Sequence, residues 1–316
     1  MLEGAFGVAA LILASSPALA QEDIPPWLAA HVGTGSGEIA RPVLERARAL
    51  YQRKVSEGAV RNACYFAMDA TLPNNSSDGS LARRFYEICE DRQVFHAIPA
   101  GHGGGRDLHG LADFSNRRQC AKNFGNAEDS FLTMGGAYVT AETKASFKGY
   151  YRGAGGQDQV LVRTFVQFDG EGETANARQR AIGGHAAVTM KGVCLRHDPE
   201  SPYANENGYV PFGTPVDYTG GRSDGCTSWS PSDATRIAAM VKDDPTTLYI
   251  YPDARDVEAV ARARRGASGT YWNAYCLKQI GAPKYWPAHV VEPLLAEYRR
   301  LHPTPPPRPA PICGER

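Results

Sequence analysis

Seven cysteines, at positions 64, 89, 120, 194, 226, 276 and 313, constrain what this 316-residue chain can fold into more than any other feature. Six of them can close three covalent loops, and the seventh is then a free thiol. So many cysteines suit an oxidising compartment, where disulfides persist, better than a reduced cytosol. Residues 1–20 point the same way. An apolar stretch at 6–13 leads into Ala14-Ser15-Ser16-Pro17 and then Ala18-Leu19-Ala20, whose small first and third residues suit signal peptidase, although the segment carries Glu3 and neither Lys nor Arg. The expectation is a signal peptide and a periplasmic protein. No later apolar run approaches the ~20 residues that span a bilayer, so no membrane span is expected.

The 34 basic and 34 acidic side chains cancel, so no long-range field recruits nucleic acid or an anionic membrane surface. Val43, Leu44, Ala47, Leu50, Tyr51 and Val55 recur at three- and four-residue steps, which predicts an amphipathic helix over 39–55. Apolar, β-branched and aromatic stretches predict strands at 63–70, 84–89, 94–98, 136–140, 146–151, 160–168 and 246–251. His185 is expected at or near a strand end. The polar run Pro73-Asn74-Asn75-Ser76-Ser77-Asp78-Gly79 reads as a hairpin tip, residues 101–110 as a glycine-rich loop, and residues 193–219 as a long loop of lid type. Ser230-Pro231-Ser232-Asp233 supplies an N-cap, a first-turn proline and an acid, and opens a helix to about Val241. The organisation is then an N-terminal helical segment (21–60), a mainly β domain (61–256), a C-terminal helical appendage (257–302) and a Pro-rich tail (303–316). Cys276 and Cys313 could staple that tail to itself or to the core.

Cys226 lies in Gly221-Arg222-Ser223-Asp224-Gly225-Cys226-Thr227, 41 residues after His185 of Ile182-Gly183-Gly184-His185-Ala186. A thiol beside glycine, with a histidine to take its proton, is the minimum equipment for cysteine acyl transfer, which makes Cys226 the natural unpaired cysteine. His185 can act as an ion-pair partner or as a base. The N–H groups of Asp224, Gly225 and Cys226 can form an oxyanion pocket if Gly225 adopts a conformation closed to other residues, and Ser223 can orient the turn. Arg222 and Arg180 are candidates to meet a substrate carboxylate, with a surface or structural role equally open for Arg180. His102 reads as a loop or site-lining residue. The steps between His96, His102 and His109 fit no standard ligand spacing, and neither metal nor cofactor is expected. Trp229, Tyr271 and Trp272 suit a core or a sugar-stacking platform. On residues alone, an acyl-transfer enzyme and a structural protein with a paired Cys226 both stay open.

Five segments in order resemble the murein L,D-transpeptidases, in the branch described as YkuD-like, second type. They are residues 95–103 (Phe95-His96-Ala97-Ile98-Pro99-Ala100-Gly101-His102-Gly103), Phe114-Ser115-Asn116, the approach 178–185 ending in His185, Ser223-Asp224-Gly225-Cys226, and Leu248-Tyr249-Ile250-Tyr251-Pro252. The resemblance runs from about 63 to 257. It implies a β-sandwich or partly closed barrel with a helix after the nucleophile and flanking helices. It also implies cysteine catalysis on peptidoglycan stem peptides. Cys226 would attack the carbonyl of the L-centre of the third stem residue and expel a terminal D-alanine, and an amine of a neighbouring stem would resolve the thioester. His185 would be the base, its tautomer fixed by a main-chain carbonyl that falls at Ala186. The chain departs from the pattern at Asp224, where many members carry His, and at Thr227-Ser228-Trp229, where they carry Arg or Asn. The interval from His185 to Cys226 is also longer. An L,D-carboxypeptidase or endopeptidase using water, and a non-catalytic disulfide-bonded wall-binding protein, are the alternatives.

Overall fold

The computed structural model describes residues 24–116, 119–263 and 270–314; the expected signal peptide at 1–20 lies outside them. The helices are α1 (Pro26–Ala29), α2 (Arg41–Ser56), α3 (Pro231–Val241), α4 (Ala254–Ala263), α5 (Ala274–Ile280) and α6 (Ala288–Leu301). The strands are β1 (Tyr65–Asp69), β2 (Arg83–Cys89), β3 (Val94–Pro99), β4 (His102–Gly103), β5 (Asp107–Leu108), β6 (Ala112–Asp113), β7 (Asn123–Gly125) and β8 (Gly136–Arg152). They continue with β9 (Asp158–Gly170), β10 (Gly183–Ala186), β11 (Val188–His197), β12 (Tyr209–Asp217), β13 (Arg222–Ser223), β14 (Thr227–Trp229), β15 (Thr247–Tyr251) and β16 (Lys284–Trp286).

Strand residues dominate, as the composition of the strand segments predicted. The main sheet runs β14-β10-β9-β8-β15-β1-β2-β3, and β12 joins it by pairing with both β8 and β11. It is mixed: β1/β15, β10/β14 and β8/β12 are parallel and the other pairs antiparallel. Among the described residues the sheet does not close into a barrel; past β3 and ahead of β14 the chain is joined by the two-residue β4/β13 ladder and the isolated Gly101–Ser228 bridge.

The central strands are covered on both faces, which is why they read as continuous apolar runs. Alternation sends Phe66, Met68, Leu248 and Ile250 into one core with Val166, Phe168, Trp229 and α3, while Tyr65, Ala67, Tyr249 and Tyr251 pack under α2 against Val43, Leu44, Ala47 and Leu50. Helix α3 starts where Ser230 caps it, its side chain accepting from the Asp233 N–H. The C-terminal segment is bound into the same body, because Trp272, Cys276 and Ile280 belong to the main core, and Trp286, Val291 and Leu295 form a third cluster with Phe114 and Leu132.

Two expectations changed. Residues 136–140 and 146–151 are one 17-residue strand, β8, whose ladder with β9 slips between Thr140 and Thr143 and between Phe147 and Gly149. The expected lid loop at 193–219 is mostly the second half of a hairpin, β11 against β12, whose half-exposed faces give no alternating apolar pattern.

Six cysteines form Cys64–Cys89, Cys120–Cys276 and Cys194–Cys313, and Cys226 is free. The last bridge fastens the tail to β11, where Leu195 donates to the Pro311 carbonyl (2.7 Å) and Cys313 to that of Leu195 (2.9 Å). No described helix is long and apolar enough to cross a membrane.

Candidate active site

Strand pairing brings the cysteine turn and the histidine strand together. The parallel β10/β14 register matches Gly184 with Thr227, His185 with Ser228 and Ala186 with Trp229. Thr227 and Trp229 face the core, through Met68 and through Phe85 and Phe168 respectively. A Cβ on Gly184 would strike the Trp229 ring at 1.9 Å, so Gly184 faces the core as well and must be glycine. Period-two alternation therefore turns His185 and Ser228 to the opposite face, on which Cys226 immediately precedes β14.

His185 is buried, and its Nδ1 lies 3.0 Å from the Ala186 carbonyl. A carbonyl can only accept, so Nδ1 carries the proton and Nε2 is left as the basic nitrogen. Burial, with the charges of Arg163 and Lys148 adding to it, lowers the imidazole pKa to about 4 despite the Ala186 bond. The Cys226 thiol is pushed up, first by burial and then by Asp224; a Gly183 N–H aimed at the sulfur and the charges of Arg163 and Arg180 act the other way. Burial thus disfavours both the thiolate and the imidazolium, so the neutral forms of Cys226 and His185 are the favoured resting state. Of the two roles open to His185, general base is the one that this environment suits.

The turn is built for a backbone that only glycine tolerates. Gly225 has φ +110°, and a Cβ there would meet the Leu132 carbonyl and Ile182 at 3.1 Å. Ser223 Oγ donates to the Cys226 carbonyl and closes the turn. Cys226 Sγ donates to the Ala181 carbonyl at 3.5 Å and opens onto a cavity of about 360 Å³ lined by Glu128, Asp129, Phe131, Gln179, Arg180, Ala181, Ile182 and Asp224. Five described non-glycine residues have positive φ, and three of them, Asp129, Phe131 and Ala181, line this cavity. Such conformations cost of order 1–3 kcal/mol each and concentrate at functional sites.

The remaining sequence-selected residues are dispersed around this centre. Asp224 is exposed at the cavity rim, and Arg180 reaches across it to the Leu132 carbonyl (2.9 Å). Arg222 is half-buried and pairs in the β13/β4 ladder with His102. His102 is 1 % exposed, holds the Gly103 carbonyl through Nδ1 at 3.0 Å, and has a pKa lowered to about 3 by burial and by Arg84 and Arg222. It stands behind the site and does not line the cavity. Trp229 and Trp272 are core residues.

Arg163, Lys148 and Tyr218 were not singled out from the sequence. Their charges or dipoles act on His185 or Cys226, and Arg163 shares a hydrogen bond with the Tyr218 phenol. The available signal was an arginine at an interior position of the otherwise β-branched and aromatic run 160–168. No family model, curated protein or solved structure matches this chain.

Proposed function

We propose that this protein is a cysteine L,D-transpeptidase that acts on peptidoglycan stem peptides outside the cytoplasm. The observation that carries the reading is that its one free cysteine, just ahead of β14, falls on the same face as His185 of the neighbouring β10, with the imidazole held by the Ala186 carbonyl and Nε2 as its basic nitrogen. Three disulfides suit an oxidising compartment.

In the resting site Sγ donates to the Ala181 carbonyl. Attack requires the thiol to leave that carbonyl and turn to Nε2. The thiol proton passes to Nε2 as sulfur bonds to the donor carbonyl carbon. The oxyanion faces N–H groups of the Asp224-Gly225-Cys226 turn, and collapse expels the terminal D-residue, whose amine takes the proton from Nε2. An acceptor amine then loses its proton to Nε2 as it attacks the thioester, and the thiol is restored. The Ala186 carbonyl keeps the ring in one tautomer throughout.

The test is incubation of purified, oxidised protein with tetrapeptide-bearing muropeptides, followed by product analysis. Cross-linked dimers with loss of the terminal D-residue are expected, and Cys226→Ala and His185→Gln should each abolish them. Tripeptide products without dimers would instead assign a carboxypeptidase. Unchanged turnover in Cys226→Ala would remove the enzyme reading.

A further inference from the structure

Near His185 stand two cations, Arg163 and Lys148, that no acid among the described residues neutralises. Val166 and Phe168 of β9 are core residues, so alternation places Arg163 and Phe165 on the other face. Phe165 is the β9 partner of His185, and the two rings lie 6.4 Å apart at 23°. Arg163 is one step further along that face and pairs with Ser146 of β8, and Lys148 is the unpaired residue of the bulge between Phe147 and Gly149. The Arg163 charge acts on Lys148 across this bulge, and both side chains are half-buried. Tyr218, anchored by its N–H on the Ala187 carbonyl (2.8 Å), borders Arg163 from the third side.

Other basic residues of this hairpin have acidic partners. Lys144 pairs with Glu142 at 3.1 Å and Arg152 with Asp158 at 3.1 Å, while nearby Arg178 holds Glu142 and Asp169 at 2.7 Å each. Among the described residues no carboxylate lies within ion-pair distance of Arg163 or Lys148. Two adjacent, half-buried like charges are unfavourable until an anion joins them. Burial and Arg163 together lower the pKa of Lys148. Across Cys226 the cavity wall carries the carboxylates Glu128, Asp129 and Asp224 against the single guanidinium of Arg180, with Asp129 also paired to Arg299. A ligand lying over the thiol thus meets cations alone on the His185 side and mixed charge, mostly acidic, on the other.

We propose that Arg163 and Lys148 anchor a carboxylate of the acyl donor on the His185 side of Cys226. The assignment rests on the transpeptidase reading and makes it specific: the donor must be an anionic stem. A stem tetrapeptide offers two such carboxylates, the free one on the third residue's side chain and the C-terminal one of the leaving D-residue. Arginine suits the planar, bidentate contact and lysine the point charge.

The experiment follows acylation of Cys226 by intact mass with three synthetic donors: the free acid, the form amidated on the third residue's side chain, and the C-terminal carboxamide. Iodoacetamide, which is neutral, reports the thiol's own reactivity in each protein. Arg163→Gln and Lys148→Gln are each expected to slow the free-acid donor about 10- to 100-fold beyond any change in alkylation. One of the two amides should be slow already with the unsubstituted protein and be indifferent to both substitutions, and that amide identifies the carboxylate. Equal rates for all three donors, or losses that merely follow iodoacetamide, would overturn the anchor and leave the transpeptidase reading standing. If no donor acylates a thiol that iodoacetamide still labels, the reading and the anchor fall together.

Discussion

Lowering the pH should destabilise this protein through two histidines, and His102 gives the cleaner measurement because it lies outside the proposed chemistry. Burial and the neighbouring arginines lower its pKa from 6.5 to about 3, and that of His185 from 6.5 to about 4. The unfolded chain therefore binds more protons than the folded one between about pH 6.5 and those folded values. Stability rises with pH across that window and is lost as pH falls through it. At pH 4.5 an unfolded histidine is protonated about a hundredfold over its neutral form while folded His102 stays neutral, which amounts to a loss of about 3 kcal/mol relative to pH 7.5. His185 adds a similar loss. Urea unfolding of the disulfide-intact protein at pH 7.5 and 4.5, compared with His102→Gln, isolates the His102 share, because the other titrating groups cancel in the difference. His102→Gln should lose about 3 kcal/mol less than the unsubstituted protein over that interval. Parallel pH dependences for the two proteins would refute the burial argument.

Three further outcomes follow from packing and covalent structure. Gly184→Ala drives a methyl into the Trp229 ring and should cost about 1–3 kcal/mol in denaturant midpoint measurements, while His185→Gln, on the face away from Trp229, should cost less at neutral pH. Replacing Cys120 and Cys276 together by serine opens a loop spanning 156 residues between core segments and should lower stability by about 2–5 kcal/mol in calorimetry. Alkylation of Cys226 by iodoacetamide should keep rising above pH 8.5, since burial and Asp224 hold the thiol pKa up, and Asp224→Asn should move the midpoint down.

Much of the frame is legible in the sequence where a local rule and burial agree. Cysteine parity leaves Cys226 as the odd thiol because six partners fall close enough to pair. The Ser230 cap and Pro231 fix the start of α3, and the apolar steps at 43, 44, 47 and 50 are the residues that α2 buries. The β11–β12 hairpin was hidden because both of its faces are partly exposed, and because Pro211 and Pro215, which donate no ladder hydrogen bond, lie within β12. Strand β8 reads as two strands because the polar residues Glu142, Thr143 and Lys144 lie at its first bulge and interrupt the apolar pattern. The site was legible as the pair Cys226 and His185. Its surroundings were not, since Arg163, Lys148 and the cavity loop 128–132 arrive from segments far away in sequence; only the place of Arg163 inside an apolar strand run hints at a half-buried cation, and nothing local announces a positive φ at Phe131.

The central claim is that Cys226 becomes acylated by a stem peptide. Intact-mass analysis of the oxidised protein after brief exposure to a free-acid tetrapeptide donor measures this directly. The expected species gains the mass of the donor less its terminal D-residue, maps to Cys226, disappears with an added acceptor amine, and does not form in Cys226→Ser. A protein that stays at its starting mass while iodoacetamide still alkylates Cys226 would contradict the claim.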